Sequence, residues 1–169
     1  VLAYALIRLV LVHVVLGERI QALEYFEQAL PLHRESEDRL GGAVTLHNKG
    51  GIYNTIGEKN RALEYFEEAL SIRREIGDRG GEAATLNNIG LLYSDLGEKG
   101  KALDYYAQAL SIRREVGDRR GEAITLGNVG SVHDAVGEKD KALEYFEKTL
   151  YIHREVGNKA SEAVTLSNI

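Results

Sequence analysis

Apolar and polar positions follow a helical period along the chain. In the stretch KALDYYAQALSIRREV, apolar side chains recur at spacings of three and four, at positions 102, 105, 106, 109, 110, 112 and 116. That spacing predicts a helix with a broad apolar face. The preceding stretch has the same period, through Ala83, Leu86, Ile89, Gly90 and Tyr93. No part of the sequence has the alternation typical of a strand, so the pattern predicts an all-α protein.

These two helices form a unit of forty residues that recurs. The segments GEKNRALEYFEEALSIRRE at 57–75, GEKGKALDYYAQALSIRRE at 97–115 and GEKDKALEYFEKTLYIHRE at 137–155 nearly coincide, and GERIQALEYFEQALPLHRE at 17–35 is a looser copy. A fixed period of this length predicts stacked antiparallel helix pairs. We therefore divide residues 1–169 as a single array: a degenerate repeat over about 1–38, full repeats over 39–78, 79–118 and 119–158, and a partial repeat over 159–169.

Turn and capping residues indicate where each helix begins and ends. Glycines at 17, 57, 97 and 137 follow the first helix of a unit and those at 77, 117 and 157 follow the second, where glycine accepts a left-handed cap with little strain. Asp38, Asp78, Asp118 and Asn158 then occupy the N-cap of the next helix. Pro31 falls inside a predicted helix and is expected to bend or interrupt it.

Three glycines lie in the middle of predicted helices, where each costs roughly 1 kcal/mol relative to alanine. They are Gly50, Gly90 and Gly130, at one register of successive repeats. A cost repeated at one register indicates that two helices approach closely there. The small residues expected to face such helices lie on the second helix of each unit, at Ala62, Ala69, Ala102, Ala109 and Ala142.

Composition narrows the function classes. The chain is 44% hydrophobic and 28% charged, with a net charge of −5 and no Cys. The negative charge disfavours nucleic acid as a partner. The absence of Cys removes disulfides and thiolate zinc sites, and it fits a cytoplasmic protein. The five histidines form no pair with metal-ligand spacing, so we expect no metal and no cofactor.

The apolar start VLAYALIRLVLVHVVLG resembles a repeat helix more than a targeting segment. It has no basic region and no cleavage site, and Arg8 and His13 interrupt it, so we expect no membrane span. The chain contains no Met and stops part-way through a unit, so we expect it to be part of a longer protein. Uncovered repeats at its ends are expected to self-associate at high concentration.

The repeat resembles the tetratricopeptide repeat. The resemblance rests on the pattern Leu86-x-x-Ile89-Gly90-x-x-Tyr93 followed by Gly97, Ala102, Tyr106 and Ala109, and it extends over essentially the whole chain. The forty-residue length is similar to the repeats of kinesin light chains, Pins-type adaptors and bacterial tetratricopeptide regulators. The resemblance implies a right-handed superhelical solenoid whose first helices line a groove.

The same resemblance places candidate binding residues on the first helices. An asparagine two residues before each helix glycine, at 48, 88, 128 and 168, matches one that bonds peptide backbone in this family, and a structural role is equally compatible with it. Variable residues flank it. The predicted groove residues are His47, Asn48, Gly51, Asn54, Asn87, Asn88, Leu91, Ser94, Gly127, Asn128, Ser131 and Asp134. They lack the lysines and arginines with which chaperone-binding members hold a terminal carboxylate.

Other conspicuous residues are explained by the repeat. Arg34, Arg74, Arg114 and Arg154 could form a row of anion-binding groups, but helix-end charges paired at i,i+4, such as Arg74–Asp78 and Glu75–Arg79, explain them better. Tyr65, Tyr105 and Tyr106 fall on the packing face and are expected in the core rather than in a base-stacking platform. No catalytic motif occurs, so we expect no enzyme. Two functions remain: a scaffold whose groove binds a peptide or helix of a partner protein, or a ligand-sensing regulatory segment of a larger signalling protein.

Overall fold

The protein is all-α in the part of the chain that the structure, a computed structural model, describes: residues 18–167 and 169, with positions 2, 5, 6 and 9. Eight helices are bounded within these residues. They are α1 Arg19–Glu35, α2 Arg39–Thr55, α3 Lys59–Ile76, α4 Arg79–Asp95, α5 Lys99–Glu115, α6 Arg119–Ala135, α7 Lys139–Glu155 and α8 Lys159–Leu166. The predictions for Arg8, His13, Gly17 and Asn168 concern residues outside this described part.

The helices form two compact units, Val1–Asp78 and Arg79–Ile169. In the first unit α2 packs most extensively on α3, and α1 packs on α2. In the second unit α4 pairs with α5 and α6 with α7, while α6 also packs on α5 and α8 on α7. Each pair is joined by a short turn that contains a glycine with positive φ, at 57, 97 and 137, and the glycines at 77, 117 and 157 have positive φ as well.

Side-chain oxygens form the N-cap at three of the four predicted positions. Asp38 accepts a hydrogen bond from the backbone nitrogen of Gly41, Asp118 from that of Gly121, and Asn158 from that of Ser161. Helix α1 continues through Pro31. The sequence predicted a bend or an interruption at this proline; the interruption does not occur, since proline removes only its own N–H donor and the helix continues past it.

The mid-helix glycines lie close to the partner helix, as predicted from their register, and the atoms that they approach most closely belong to aromatic rings that the sequence analysis did not identify. A Cβ added to Gly90 would stand 2.7 Å from the ring of Tyr106, and one added to Gly130 would stand 2.8 Å from the ring of Phe146. The facing alanines at 62, 69, 102, 109 and 142 are almost completely buried. Small residues therefore let the two helices of a pair approach closely.

One of the two predicted helix-end pairs, Glu75–Arg79, does not form. The expected i,i+4 partner of Glu75 was Arg79, but Glu75 bonds Arg39. Glu115 likewise bonds Arg79 and Glu155 bonds Arg119, each at 2.6 Å. We call these three ion pairs the helix-pair clasps, because each joins the first residue of one helix to the end of the helix that pairs with it. The arginine lies 36 residues before the glutamate, so the pairing depends on the fold and not on neighbours along one helix.

Candidate functional site

Three of the predicted groove residues line one cavity in the second unit. Gly127, Asn128 and Ser131 lie on α6 and border an open cavity of about 240 Å³. Helix α7 contributes Phe146, Thr149 and His153, and α8 contributes Ser161, Val164 and Thr165. Ile124, which is 55% exposed, stands at its rim. Among the described residues, no Asp, Glu, Lys or Arg lines this cavity, so the lining that the structure describes combines polar and apolar groups without an acidic or basic side chain.

The positions at one register of the groove differ in chemistry from repeat to repeat. His47 packs its ring on Phe66, with centroids 5.4 Å apart and planes tilted by 58°. Burial, reinforced by the charge of Arg73, lowers the pKa of His47 to about 4, so this imidazole is neutral near pH 7. Gly127, at the same register eighty residues on, has no side chain. A Cβ added there would make ordinary contact with Thr149 at 3.7 Å.

Asn87 lies at the same register as His47, forty residues on. It is buried and not open to a ligand. Its side-chain oxygen accepts hydrogen bonds from the Thr125 hydroxyl at 3.0 Å and from the Asn128 amide at 3.1 Å. These bonds connect α4 with α6 inside the second unit. Asn87 thus holds Asn128 in place, while Asn48, Asn88 and Asn128 themselves are half-buried.

The groove residues nearest the turns are bonded by lysines five residues further on. Lys59 donates to the Asn54 side chain at 2.7 Å, and Lys99 donates to the backbone oxygen of Ser94 at 2.8 Å. Lys139 pairs with Asp134 in the same way. Asn54, Ser94 and Asp134 therefore stabilise the turn between the two helices of a pair. Of the remaining predicted residues, Gly51 is half-buried, Leu91 is 39% exposed, and Ser131 is exposed and donates to the Gly127 oxygen.

One buried residue at the cavity has lost a partner that its equivalents keep. His33 bonds Asp38 at 2.9 Å, and Arg113 bonds Asp118 at 3.2 Å, five residues on in each case. His153 occupies the same register but is followed by Asn158. Its Nδ1 atom is buried without a hydrogen-bond partner among the described residues. Burial lowers the pKa of His153, and Glu162 opposes that shift.

The row of arginines is occupied by carboxylates. Arg114 bonds Glu122 at 2.7 Å, and Arg154 bonds Glu162 at 2.7 Å. The Arg119 guanidinium, which lines the same cleft of about 400 Å³ as Arg114, bonds both Glu122 and Glu155. These pairs satisfy Arg114 and Arg154 with carboxylates of the chain itself, although the partners lie eight residues apart and not at the predicted i,i+4 spacing.

The tyrosines stack on one another. The ring of Tyr53 stacks on that of Tyr65 at 5.2 Å, and Tyr93 stacks on Tyr105 at 5.4 Å. His133 takes the equivalent place on Tyr145 at 5.3 Å. Tyr106 is buried as predicted, whereas Tyr65 and Tyr105 are only half-buried. Each of these rings therefore has one face covered by a ring of the partner helix, as expected of residues on the packing face.

No group of three or more His, Asp or Glu side chains that could hold a metal ion occurs among the described residues. Within the same residues, no helix has the length and apolarity that crossing a membrane requires.

Family comparisons agree with this geometry. The tetratricopeptide repeat family model matches residues 1–75, 60–115 and 81–155. The chain belongs to the tetratricopeptide repeat family. Its domains typically serve as protein-interaction modules without catalytic activity. No curated protein sequence matches the chain.

Several solved structures share the fold. BtubC (BKLC) from P. vanneervenii superposes with a TM-score of 0.82 at 24% identity, over 92% of this chain and 65% of that protein. RapI in its apo form gives 0.87 at 26% identity, over 96% of this chain and 60% of RapI. Aspartyl phosphate phosphatase F from Bacillus subtilis gives 0.88 at 18% identity, over 98% and 43%. The tetratricopeptide chain thus spans less than two thirds of each of these proteins.

Sequence reasoning found the α6 side of the cavity and missed the rest. Phe146, Thr149 and His153 of α7 and the lining residues of α8 were not among the predicted groove residues. Two differences between repeats carried the missing signal: glycine at 127 where the other repeats have His47 and Asn87, and asparagine at 158 where they have aspartate.

Proposed function

We propose that this tetratricopeptide chain is a protein-interaction scaffold that binds a peptide or helix of a partner protein through its first-helix face. The observation that carries the proposal is the cavity of about 240 Å³ where Gly127, Asn128 and Ser131 meet α7 and α8. Its lining contains amide and hydroxyl groups together with the aromatic ring of Phe146. Such a mixture binds peptide backbone and uncharged side chains, whereas charged termini would find no opposite charge there.

Selection from a random peptide display library tests the proposal. Ile124→Glu places a charge at the rim of the cavity, and Ile124 is exposed enough to change without loss of packing. Tyr151→Glu is the matched control, because Tyr151 is exposed on α7 but lines the cleft beside Arg114 instead. Peptides selected on the unmodified protein should bind Ile124→Glu roughly tenfold more weakly or worse, and Tyr151→Glu unchanged. Failure to select any peptide, or equal losses in both variants, would show the proposal to be wrong.

A sensing segment of a larger regulator is the second candidate. The structural similarity to RapI favours this second function, because the Rap proteins are bacterial tetratricopeptide regulators and the similarity covers 96% of this chain. A sensor must have two states that the ligand binds with different affinity. Small-angle scattering with and without a selected peptide distinguishes the two functions: a change in the scattering profile beyond the added mass indicates a sensor, and an unchanged profile indicates a scaffold.

A further inference from the structure

One charged position near the start of the first helix of each repeat is different in the first unit. A glutamate stands there at 82, 122 and 162, whereas Gly42 takes this register in α2. Where the glutamate is present, arginines hold it: Arg114 and Arg119 both bond Glu122, whose side chain is only 7% exposed. This position of the repeat therefore normally holds a carboxylate that is paired with guanidinium groups.

The first arginine that would hold this carboxylate is retained in the first unit. Arg79 and Arg119 each bond two carboxylates, one at the helix-pair clasp and one from the glutamate of this register. Arg39 is their equivalent, and within the residues that the structure describes it bonds only Glu75 of its clasp. Its guanidinium is 52% exposed and therefore has donors left for a second carboxylate.

The second arginine, Arg34, is the exception in the row of arginines. Arg114 and Arg154 bond the glutamate eight residues on, each at 2.7 Å. Arg34 has Gly42 at that spacing, and the one described carboxylate within 4 Å of it is that of Glu68, at 3.9 Å. Both side chains are exposed, so this contact contributes little. The same missing glutamate therefore leaves both arginines of the first unit short of a carboxylate.

A cleft of about 420 Å³ lies at the place of the missing side chain. Gly42 borders it, and the side-chain atom closest to a Cβ added there would be the Cβ of His33, at 3.9 Å. Guanidinium and apolar side chains line the cleft together: Arg34, Arg39, Leu30, Leu46 and Ile72. The cleft therefore combines room for a side chain, two positive charges and an apolar wall.

We propose that this cleft binds a carboxylate carried on a short aliphatic chain, in the place of the missing glutamate. We call it the Gly42 cleft, formed by Leu30, Arg34, Arg39, Gly42, Leu46 and Ile72. The two guanidiniums donate to the carboxylate, and the aliphatic chain packs on the apolar wall. A glutamate side chain of a partner protein and a free aliphatic acid both have this chemistry. The site lies in the first unit and goes beyond the proposed function, which concerns the cavity beside Gly127.

Acidic residues of the chain set a limit on the affinity. Three of them line the cleft: Glu37, Asp38 and Glu68. Asp38 is engaged as the N-cap of α2, and the other repeats have aspartate or asparagine at its register. Glu37 and Glu68 are exposed, and around Glu122 the residues at their registers are a glycine and a lysine. We therefore expect binding that is weak and sensitive to salt, and that becomes tighter when the charge at position 68 is reversed.

N-acetyl-glutamic acid α-methylamide tests the Gly42 cleft, because its one carboxylate is that of a glutamate side chain. Its addition should shift the side-chain Nε–Hε signals of Arg34 and Arg39 in NMR spectra saturably, and the glutamine analogue should not. Arg34→Gln should weaken binding roughly tenfold, through loss of a charged hydrogen bond. Arg114→Gln, in the cleft that already holds Glu122, is the matched control and should leave binding unchanged. Equal binding of the two compounds, or equal losses in the two variants, would overturn the proposal.

Substitutions at Gly42 test whether the ligand occupies the place of the missing glutamate. Gly42→Glu supplies the carboxylate from the chain itself and should abolish binding. Gly42→Ala leaves the cleft open and should bind as the unmodified protein does. Glu68→Lys, which has the residue of the cleft around Glu122, should bind severalfold more tightly. Undiminished binding to Gly42→Glu would show that the ligand lies elsewhere and would overturn the proposal.

Butyrate distinguishes the two sources of the carboxylate, because it has the aliphatic acid without peptide groups. Binding of butyrate as tight as that of the glutamate compound would assign the Gly42 cleft to free aliphatic acids. Tighter binding of the glutamate compound would assign it to a partner protein, and either result supports the carboxylate site. Absence of a saturable shift with both compounds would overturn it. No selected peptide enters these measurements, so their failure would leave the proposed function standing.

Discussion

Gly50 lies so close to Phe66 that a Cβ added to Gly50 would stand 2.8 Å from the Cδ1 atom of the ring. Its neighbour Gly51 faces open space, with no described atom within 4 Å of an added Cβ. Gly50→Ala should therefore lower the free energy of unfolding by about 1–3 kcal/mol through overpacking. Gly51→Ala should raise it by up to about 1 kcal/mol through helix propensity. Thermal unfolding followed by circular dichroism checks both, and a shift of the two variants in the same direction would contradict the close approach.

The neutral imidazole of His47 makes stability depend on pH. Its pKa is lowered from 6.5 to about 4, first by burial and then by Arg73, so the unfolded chain takes up a proton before the folded one does. Stability contributed by this group is complete above pH 6.5 and is lost as the pH falls toward about 4, by at most about 3 kcal/mol. Urea unfolding near pH 7 and pH 5 measures the loss.

The matched variant is His47→Asn, which has the residue of the next repeat and retains His33, His133 and His153. Its stability should fall less than that of the unmodified protein over the same pH interval. An equal fall in the two proteins would assign the effect to other groups.

Lys49 is a cation at a core position that holds Ile89 and Val129 in later repeats. It is 2% exposed, bonds Glu27, and lies 4.2 Å from the centre of the Tyr65 ring. Burial opposes its charge, but the hydrogen bonds to Glu27 and Tyr65 outweigh burial and raise the pKa of Lys49. Glu27→Ala should therefore destabilise the protein by about 1–3 kcal/mol, because it leaves a buried ammonium group with one partner fewer.

Lys49→Met removes the buried ammonium group itself and so tests whether Glu27 acts through it. In that background, Glu27→Ala should cost little, because no buried charge remains to be paired. Chemical unfolding of the two single variants and the double variant gives the coupling. Additive losses would mean that Glu27 acts through something other than Lys49.

The clasp between Arg119 and Glu155 should weaken in acid. The hydrogen bond from Arg119 lowers the pKa of Glu155 below its ordinary value of 4.5. A lowered carboxyl pKa contributes stability that is present above 4.5 and is lost as the pH falls through the folded value. The unmodified protein should therefore lose more stability than Glu155→Gln when it is acidified below 4.5. High salt should reduce the difference at neutral pH, since both side chains are largely exposed.

The repeating part of the fold was predictable because it depends on local chemistry. The spacing of apolar residues predicted the helices, and the turn glycines predicted where they end. The glycine at position 90 predicted the close contact with the partner helix. The clasps were not predictable, because Arg79 and Glu115 meet through the packing of two helices and not through a spacing within one. The candidate site was predictable only in part. Register placed Gly127 and Asn128 on the right face, but it could not show that Asn87, on the same face, turns inward to bond Thr125.

Each clasp lies inside one forty-residue unit, between the start of its first helix and the end of its second. Removing or duplicating a whole unit would therefore carry both partners of the ion pair together, whereas a cut in the middle of a unit would separate them. A helix pair can therefore be added to the array or removed from it with its clasp intact. A gene that gained or lost such units would lengthen or shorten the array without leaving an arginine of a clasp apart from its glutamate.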